Sequence, residues 1–150
     1  MKEEEAGKIG FLLSNISTLE FATIDSAYQE GSPEDLQLGF GFGILEEERW
    51  IVCDANVEFH INNRPFIIIK VRCEFEIDPN AWERFVDYKK NTITFPDGLL
   101  RHLAVLTTGT TRGILHAKTE NTKFNQIILP TLNIADIVSE PITFDIDAKK

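Results

Sequence analysis

Apolar residues fall on every second position through much of the first half of the chain. Leu36, Leu38, Phe40, Phe42 and Ile44 alternate with Gln37, Gly39, Gly41 and Gly43. Ile51, Cys53, Ala55, Val57, Phe59 and Ile61 alternate with Asp54, Asn56, Glu58 and His60. Ile67, Ile69, Val71, Cys73, Phe75 and Ile77 are interleaved with Lys70, Arg72, Glu74 and Glu76. A period of two places all the apolar side chains of a strand on one face. Strands are therefore expected over 36–44, 50–61 and 65–77, with a less regular one over 15–25. Gly31 to Asp35 is loop chemistry, Glu46-Glu47-Glu48-Arg49 is a charged turn, and Asn62-Asn63 suits a hairpin because Asn tolerates positive φ. These strands predict an antiparallel meander with one buried and one polar face.

The period changes after Ile77. Asp78 and Pro79 can open a helix, and Trp82, Phe85 and Val86 lie at helical spacing, so a short helix is expected over 79–89. The stretch from Asn91 to Phe95 is extended. Pro96 and Asp97 begin a longer helix, in which Leu99, Leu103, Leu106, Thr110, Gly113 and Ala117 form a stripe widened by Leu100, Thr107 and Ile114. The polar stretch from Thr119 to Asn125 ends it. An apolar, proline-marked segment follows over 127–134, and the tail from Pro141 to Asp147 alternates weakly. The expectation is one α+β domain over 1–150, with a four-stranded antiparallel β-meander, a short helix and one long helix, a core at about 12–137 and a tail at 138–150.

Charge narrows the partners. Lys and Arg number 15 against 24 Asp and Glu, a net charge of −9 that repels phosphate backbones, so no nucleic-acid partner is expected. The longest apolar runs are far shorter than the roughly 20 residues a spanning helix needs, so no membrane insertion is expected. The acidic start, Met1 to Glu5, is unlike the basic region of a secretory signal, which makes the cytoplasm the expected location. Cys53 and Cys73 fit a reducing compartment and could pair only if their strands are adjacent and in register.

Enzymatic signatures are absent or misplaced, so no enzyme, cofactor or metal is expected. Gly39-Phe40-Gly41-Phe42-Gly43 lies inside a strand pattern, whereas a phosphate loop precedes a helix; close packing or sheet curvature explains these glycines. Thr107 to Gly113 lies within the long helix and lacks the Lys-Ser/Thr ending of a phosphate loop. His102 and His116 are about four helical turns, or roughly 21 Å, apart and cannot ligate one metal within one protomer. The apolar surplus is more informative. Eleven Phe and two Trp, with a sheet face that one helix only partly covers, imply oligomerisation or an apolar partner.

Four segments bear on family. Cys73-Glu74-Phe75 is similar to a Cys-Glu-Val motif. Asn91-Thr92-Ile93-Thr94-Phe95-Pro96 is similar to Asn-x-Leu-Phe-Pro at the start of a long helix, and Leu129-Pro130-Thr131-Leu132-Asn133-Ile134 to Phe-Pro-x-Leu-Asn-Leu after it. Asn15 to Glu20 loosely matches Asp-Ile-Ser-Phe-Glu, with one extra residue. In this order the motifs resemble the SecB family of cytosolic export chaperones, over roughly residues 12–137. The chain departs from the family in extra residues near 113–124, and in a β-like tail where the family has a second amphipathic helix.

The resemblance implies an ATP-independent chaperone that binds unfolded or export-bound polypeptides in apolar grooves. It implies a homo-oligomer, tetramer or dimer, in which sheets join and long helices pack between them. It implies an acidic outer sheet face that contacts the SecA motor. Here Asp54, Glu58, Glu74 and Glu76 would occupy that face, Glu74 alone through a motif match. Trp50, Phe66, Phe95, Phe124, Leu129 and Leu132 are the candidate peptide-binding residues, from the apolar surplus around the strand–helix junction and the proline loop. The alternatives are an oligomeric adaptor on the same fold, or a chaperone dedicated to one client such as an antitoxin. A hot-dog-type enzyme fits less well, because there the helix precedes most of the strands.

Overall fold

A computed structural model describes residues 9–147 of the chain. Four long strands, β1 (Phe11–Thr23), β2 (Asp35–Leu45), β3 (Trp50–Ile61) and β4 (Arg64–Ile77), form one antiparallel sheet. A short helix α1 (Pro79–Phe85) follows, then two short strands β5 (Val86–Asp87) and β6 (Thr92–Phe95), the long helix α2 (Asp97–Lys118) and a last strand β7 (Ile142–Asp145). The class is α+β, as the two periodicities predict.

Three of the long strands form the expected meander. Asn62 and Asn63 both have positive φ (51° and 63°), the conformation that a two-residue hairpin matching strand twist requires. The first strand departs from the meander, because the order across the sheet is β1-β4-β3-β2. Residues 24–34 carry the chain from one edge of the sheet to the other. This crossing is tied down where Ile24 N–H donates to the Phe66 carbonyl (2.8 Å) and where Tyr28 packs against Phe66 and Phe124. Two bulges, at Leu13/Asn15 and Thr18/Glu20, reverse which side chains of β1 face the core, which is why its alternation looks irregular in the sequence.

The buried face carries Ile51, Cys53, Val57 and Phe59 of β3 and Ile67, Ile69, Val71, Cys73 and Phe75 of β4. Helix α2 lies over these two central strands. Asp78 caps α1, accepting from the Ala81 N–H at 3.2 Å. The expected extension of α1 to residue 89 does not occur: Val86 and Asp87 pair with β6 instead. The β-like tail is β7, which places Ile142 opposite Phe95 and Phe144 opposite Ile93. Among the described residues, no helix is long and apolar enough to cross a membrane.

The buried stripe of α2 runs through Leu99, Leu100, Leu103, Ala104, Thr107, Thr108, Thr111 and Leu115. Leu106, Gly113 and Ala117 of the predicted stripe are exposed. The reason lies in the threonines. Each buried hydroxyl donates to the carbonyl four residues back, at 2.8, 2.7 and 2.7 Å for Thr107, Thr108 and Thr111, so the side chain turns its methyl to the core with its polar group satisfied.

Candidate functional site

Because α2 covers only the central strands, the edges of the sheet stay partly open. On β2, Phe40 and Phe42 stand opposite Ala55 and Cys53, on the helix side of the sheet, but are only half-buried. The loop after α2 comes down beside them, held by Arg101 donating to the Val138 carbonyl (3.2 Å) and by the buried Ile134. Phe40, Phe42, Ile137, Val138, Pro141 and Ile142, together with the polar Ser139 and Glu140, line a cleft of about 260 Å³. Strand β2 ends the sheet on this side, so one row of its backbone groups pairs with no strand among the described residues. A partly apolar cleft beside a strand edge can take an extended peptide, with main-chain groups pairing to the edge and side chains entering the cleft. Phe40 and Phe42 were legible as an apolar face, but not as site residues, because nothing local says that the helix stops short of them. Gly39 and Gly41 sit on the opposite face of β2, where an added Cβ would meet nothing within 4 Å, so close packing does not explain them.

The six expected peptide-binding side chains do not come together. Phe66 and Phe124 are buried and stack at 6.3 Å, beside Tyr28. Phe95 is buried elsewhere, among Trp82, Phe85 and Phe144. Leu129 is buried, and its carbonyl and that of Pro130 accept from Arg112 at 2.6 and 2.8 Å. Trp50 and Leu132 are half-buried, Trp50 opposite Leu45 and Glu76 in the sheet. Four of the six thus fill the protomer core, because bulk and hydrophobicity alone do not separate a core side chain from a groove side chain.

The four acidic candidates do share the outer face of β3 and β4, each with a partner. Arg72 grips Asp54 with two hydrogen bonds of 2.7 and 2.9 Å, and that bond holds the guanidinium firmly in its charged form. His60 lies 2.8 Å from Glu58, Asn15 donates to Glu74 at 2.7 Å, and Ser14 donates to Glu76. Asp54 is ion-paired with Arg72, whereas Glu74 and Glu76 have neutral partners, Asn15 and Ser14.

No family model matches the chain, and no curated protein is significantly similar to it. Among solved structures it is similar to a protein of unknown function from Streptococcus agalactiae, with a TM-score of 0.41 and 14% identity, over 83% of this chain and 98% of that one.

At the opposite edge, Phe21, Thr23, Lys118, Lys123 and Phe124 line a second cleft of about 430 Å³. Lys118 sits over the Phe21 ring at 5.5 Å and Lys123 over Phe124 at 5.4 Å, so its cations rest on aromatic faces. Beneath α2, Cys53 and Cys73 stand directly opposite each other in neighbouring strands, both free and buried. Burial pushes the Cys53 thiol up to about 12, so it stays protonated and is a poor nucleophile.

Proposed function

We propose that this chain is an ATP-independent, SecB-like chaperone of the cytoplasm. In this reading it works as a homo-oligomer and holds unfolded or export-bound polypeptides against its β2 edge. The observation that carries the reading is the cleft of Phe40, Phe42, Ile137, Val138, Pro141 and Ile142 next to an unpaired strand edge. Main-chain pairing accepts any sequence, and apolar burial contributes about 25 cal/mol per Å². That gain must offset roughly 1–2 kcal/mol of backbone entropy per ordered client residue, which favours extended segments rich in large apolar side chains. On the outer face, Glu58, Glu74 and Glu76 offer a surface to a basic partner, which for a SecB-like chaperone would be SecA.

The test is aggregation of several slow-folding clients with and without the protein, nucleotide omitted. Suppression at near-stoichiometric amounts is expected, and loss of it in Phe40→Asp and Phe42→Asp variants that still assemble. A second reading is favoured by the small size of the cleft, which has room for few side chains: a chaperone or adaptor dedicated to one client, such as an antitoxin. Unchanged aggregation across all clients would remove the general chaperone and leave this second reading.

A further inference from the structure

We infer that Cys53 and Cys73 form a reversible oxidation site, at which a low-molecular-weight disulfide converts the two buried thiols into a bond between β3 and β4. This inference stands apart from the function proposed above, because it uses neither the cleft nor an oligomer.

Pairing requires adjacent strands in register, and both conditions hold. Cys53 and Cys73 are the chain's two cysteines, and each is the residue directly opposite the other in the β3–β4 ladder. Both are free, 0% exposed and on the face that α2 covers. Ile16 of β1 stands opposite Cys73, and Phe42 of β2 stands opposite Cys53. The row across the sheet therefore reads Ile16, Cys73, Cys53, Phe42, with the two cysteines side by side.

The geometry of such a pair allows the bond and makes it reversible. Directly opposed residues of an antiparallel pair hold their Cα atoms about 4.5–5.5 Å apart, and a disulfide spans Cα separations of about 4.4–6.8 Å. The backbone is thus already in range. The Cβ atoms of opposed residues lie about 4.5–5.5 Å apart, whereas a disulfide holds them at about 3.8 Å, so the bond must draw them together by roughly 1 Å. A bond closed against such resistance is easily reduced, which is the property of a labile site and not of a permanent staple.

Access sets the order of events. Burial pushes the Cys53 thiol up to about 12 and raises the Cys73 thiol as well, so neither reacts while the sheet is closed. Their surroundings differ. Cys53 lies on a strand between β4 and β2, whereas Cys73 lies on the strand next to the edge strand β1. Beside Cys73, Ile16 is 48% exposed and stands between the two bulges of β1, at Leu13/Asn15 and Thr18/Glu20. An edge strand with an interrupted ladder opens locally more easily than a central one, so Cys73 is uncovered first. Its thiolate attacks one sulfur of the oxidant RSSR, leaving a mixed disulfide on Cys73 and releasing RS⁻, which takes up a proton. The Cys53 thiol then gives up its proton and attacks the Cys73 sulfur, and the second RS⁻ leaves as RSH. Two protein thiols and one RSSR become one protein disulfide and two RSH, with two electrons passing from the cysteine pair to the oxidant.

The test is oxidised glutathione added to the native, reduced chain, read by intact mass and by thiol titration after denaturation. Both thiols of each protomer should be lost, without cross-linked dimers on non-reducing electrophoresis, and dithiothreitol should restore them while the protein stays folded. The unfolding constant of the oxidised protein should be about tenfold lower, a modest gain because strain offsets part of the loop entropy removed from the unfolded chain. Cys53→Ala, which keeps Cys73, should trap the mixed disulfide faster than Cys73→Ala does, and Ile16→Ala should speed oxidation severalfold. If the native protein keeps both thiols, collects mixed disulfides without closing the bond, or closes it only after unfolding in urea, the inference is overturned. Faster trapping at Cys53 than at Cys73 overturns the route through β1.

Discussion

The two faces of α2 both carry apolar side chains and have opposite fates. One carries Leu99, Leu100, Leu103, Ala104, Leu115 and three threonines, and is sealed against β3 and β4. The other carries Val105, Leu106 and two glycines between two histidines, and faces outward. Buried threonines that donate to their own helix behave as valines toward the sheet, so the covered face is as apolar as a leucine stripe. The outward face lacks charge because its neighbours' charges are anchored to loops and rings. Polarity along a helix thus says that a face will be covered by something. Which face is covered within the protomer is a matter of fit against a particular sheet.

The sharpest way to break this comparison is to truncate one leucine on each face. Leu103→Ala on the sealed face should cost about 2–5 kcal/mol in urea unfolding, from lost transfer energy plus a cavity. Leu106→Ala should change protomer stability by no more than about 0.5 kcal/mol, the usual range for a surface change, and act only on assembly. Equal losses at both sites, independent of protein concentration, would show that the two faces do not differ as described.

A second measurement probes how tightly the sealed face closes over the thiols. The Cys53 thiol is raised from 9.0 to about 12 in the folded protein by burial, and the Cys73 thiol is raised for the same reason. Below pH 9 both folded and unfolded states keep the proton, and the stability is fully present. Above pH 9 the unfolded thiol ionises and the buried one does not, so stability falls as pH rises toward 12. The slope is about 1.4 kcal/mol per pH unit per thiol. Urea midpoints measured from pH 8 to 10.5 should fall more steeply for the natural chain than for Cys53→Ala. Parallel curves would mean that water reaches the thiol.

A small effect on the sealed face is expected from Thr107→Val. The Leu103 carbonyl keeps its helical partner, and the methyl that replaces the hydroxyl meets an apolar sheet, so the shift should stay within about 1 kcal/mol in the urea midpoint. A loss above 2 kcal/mol would assign the Thr107 hydroxyl a role beyond its own helix, toward the buried thiols of Cys53 and Cys73.

Much of the fold was legible in the residues. The period of two in β3 and β4, the Asn62-Asn63 turn and the Asp78 cap each depend on neighbours a few positions away, and each appears where its pattern stands. The candidate site was less legible. Phe66, Phe95, Phe124 and Leu129 look like groove residues by size and are core. Phe40 and Phe42 look like core and line the open cleft. The acidic row was found in place, but the grip of Arg72 on Asp54 depends on two strands meeting in register.

The sequence by itself determined the long strands, the long helix and the Asn62-Asn63 turn, because periodicity and positive-φ residues act through local geometry. It determined that apolar surface exceeds what one helix can cover. Only the tertiary structure decided that β1 crosses to pair with β4, that the tail joins β6, and that α2 presses its threonine face to the sheet and leaves Val105 and Leu106 outside. Those choices compare segments distant in the chain and nearly equal in hydrophobicity. Shape contributes to them: close-packed interiors accept the face whose side chains interlock with the sheet and leave the other outside.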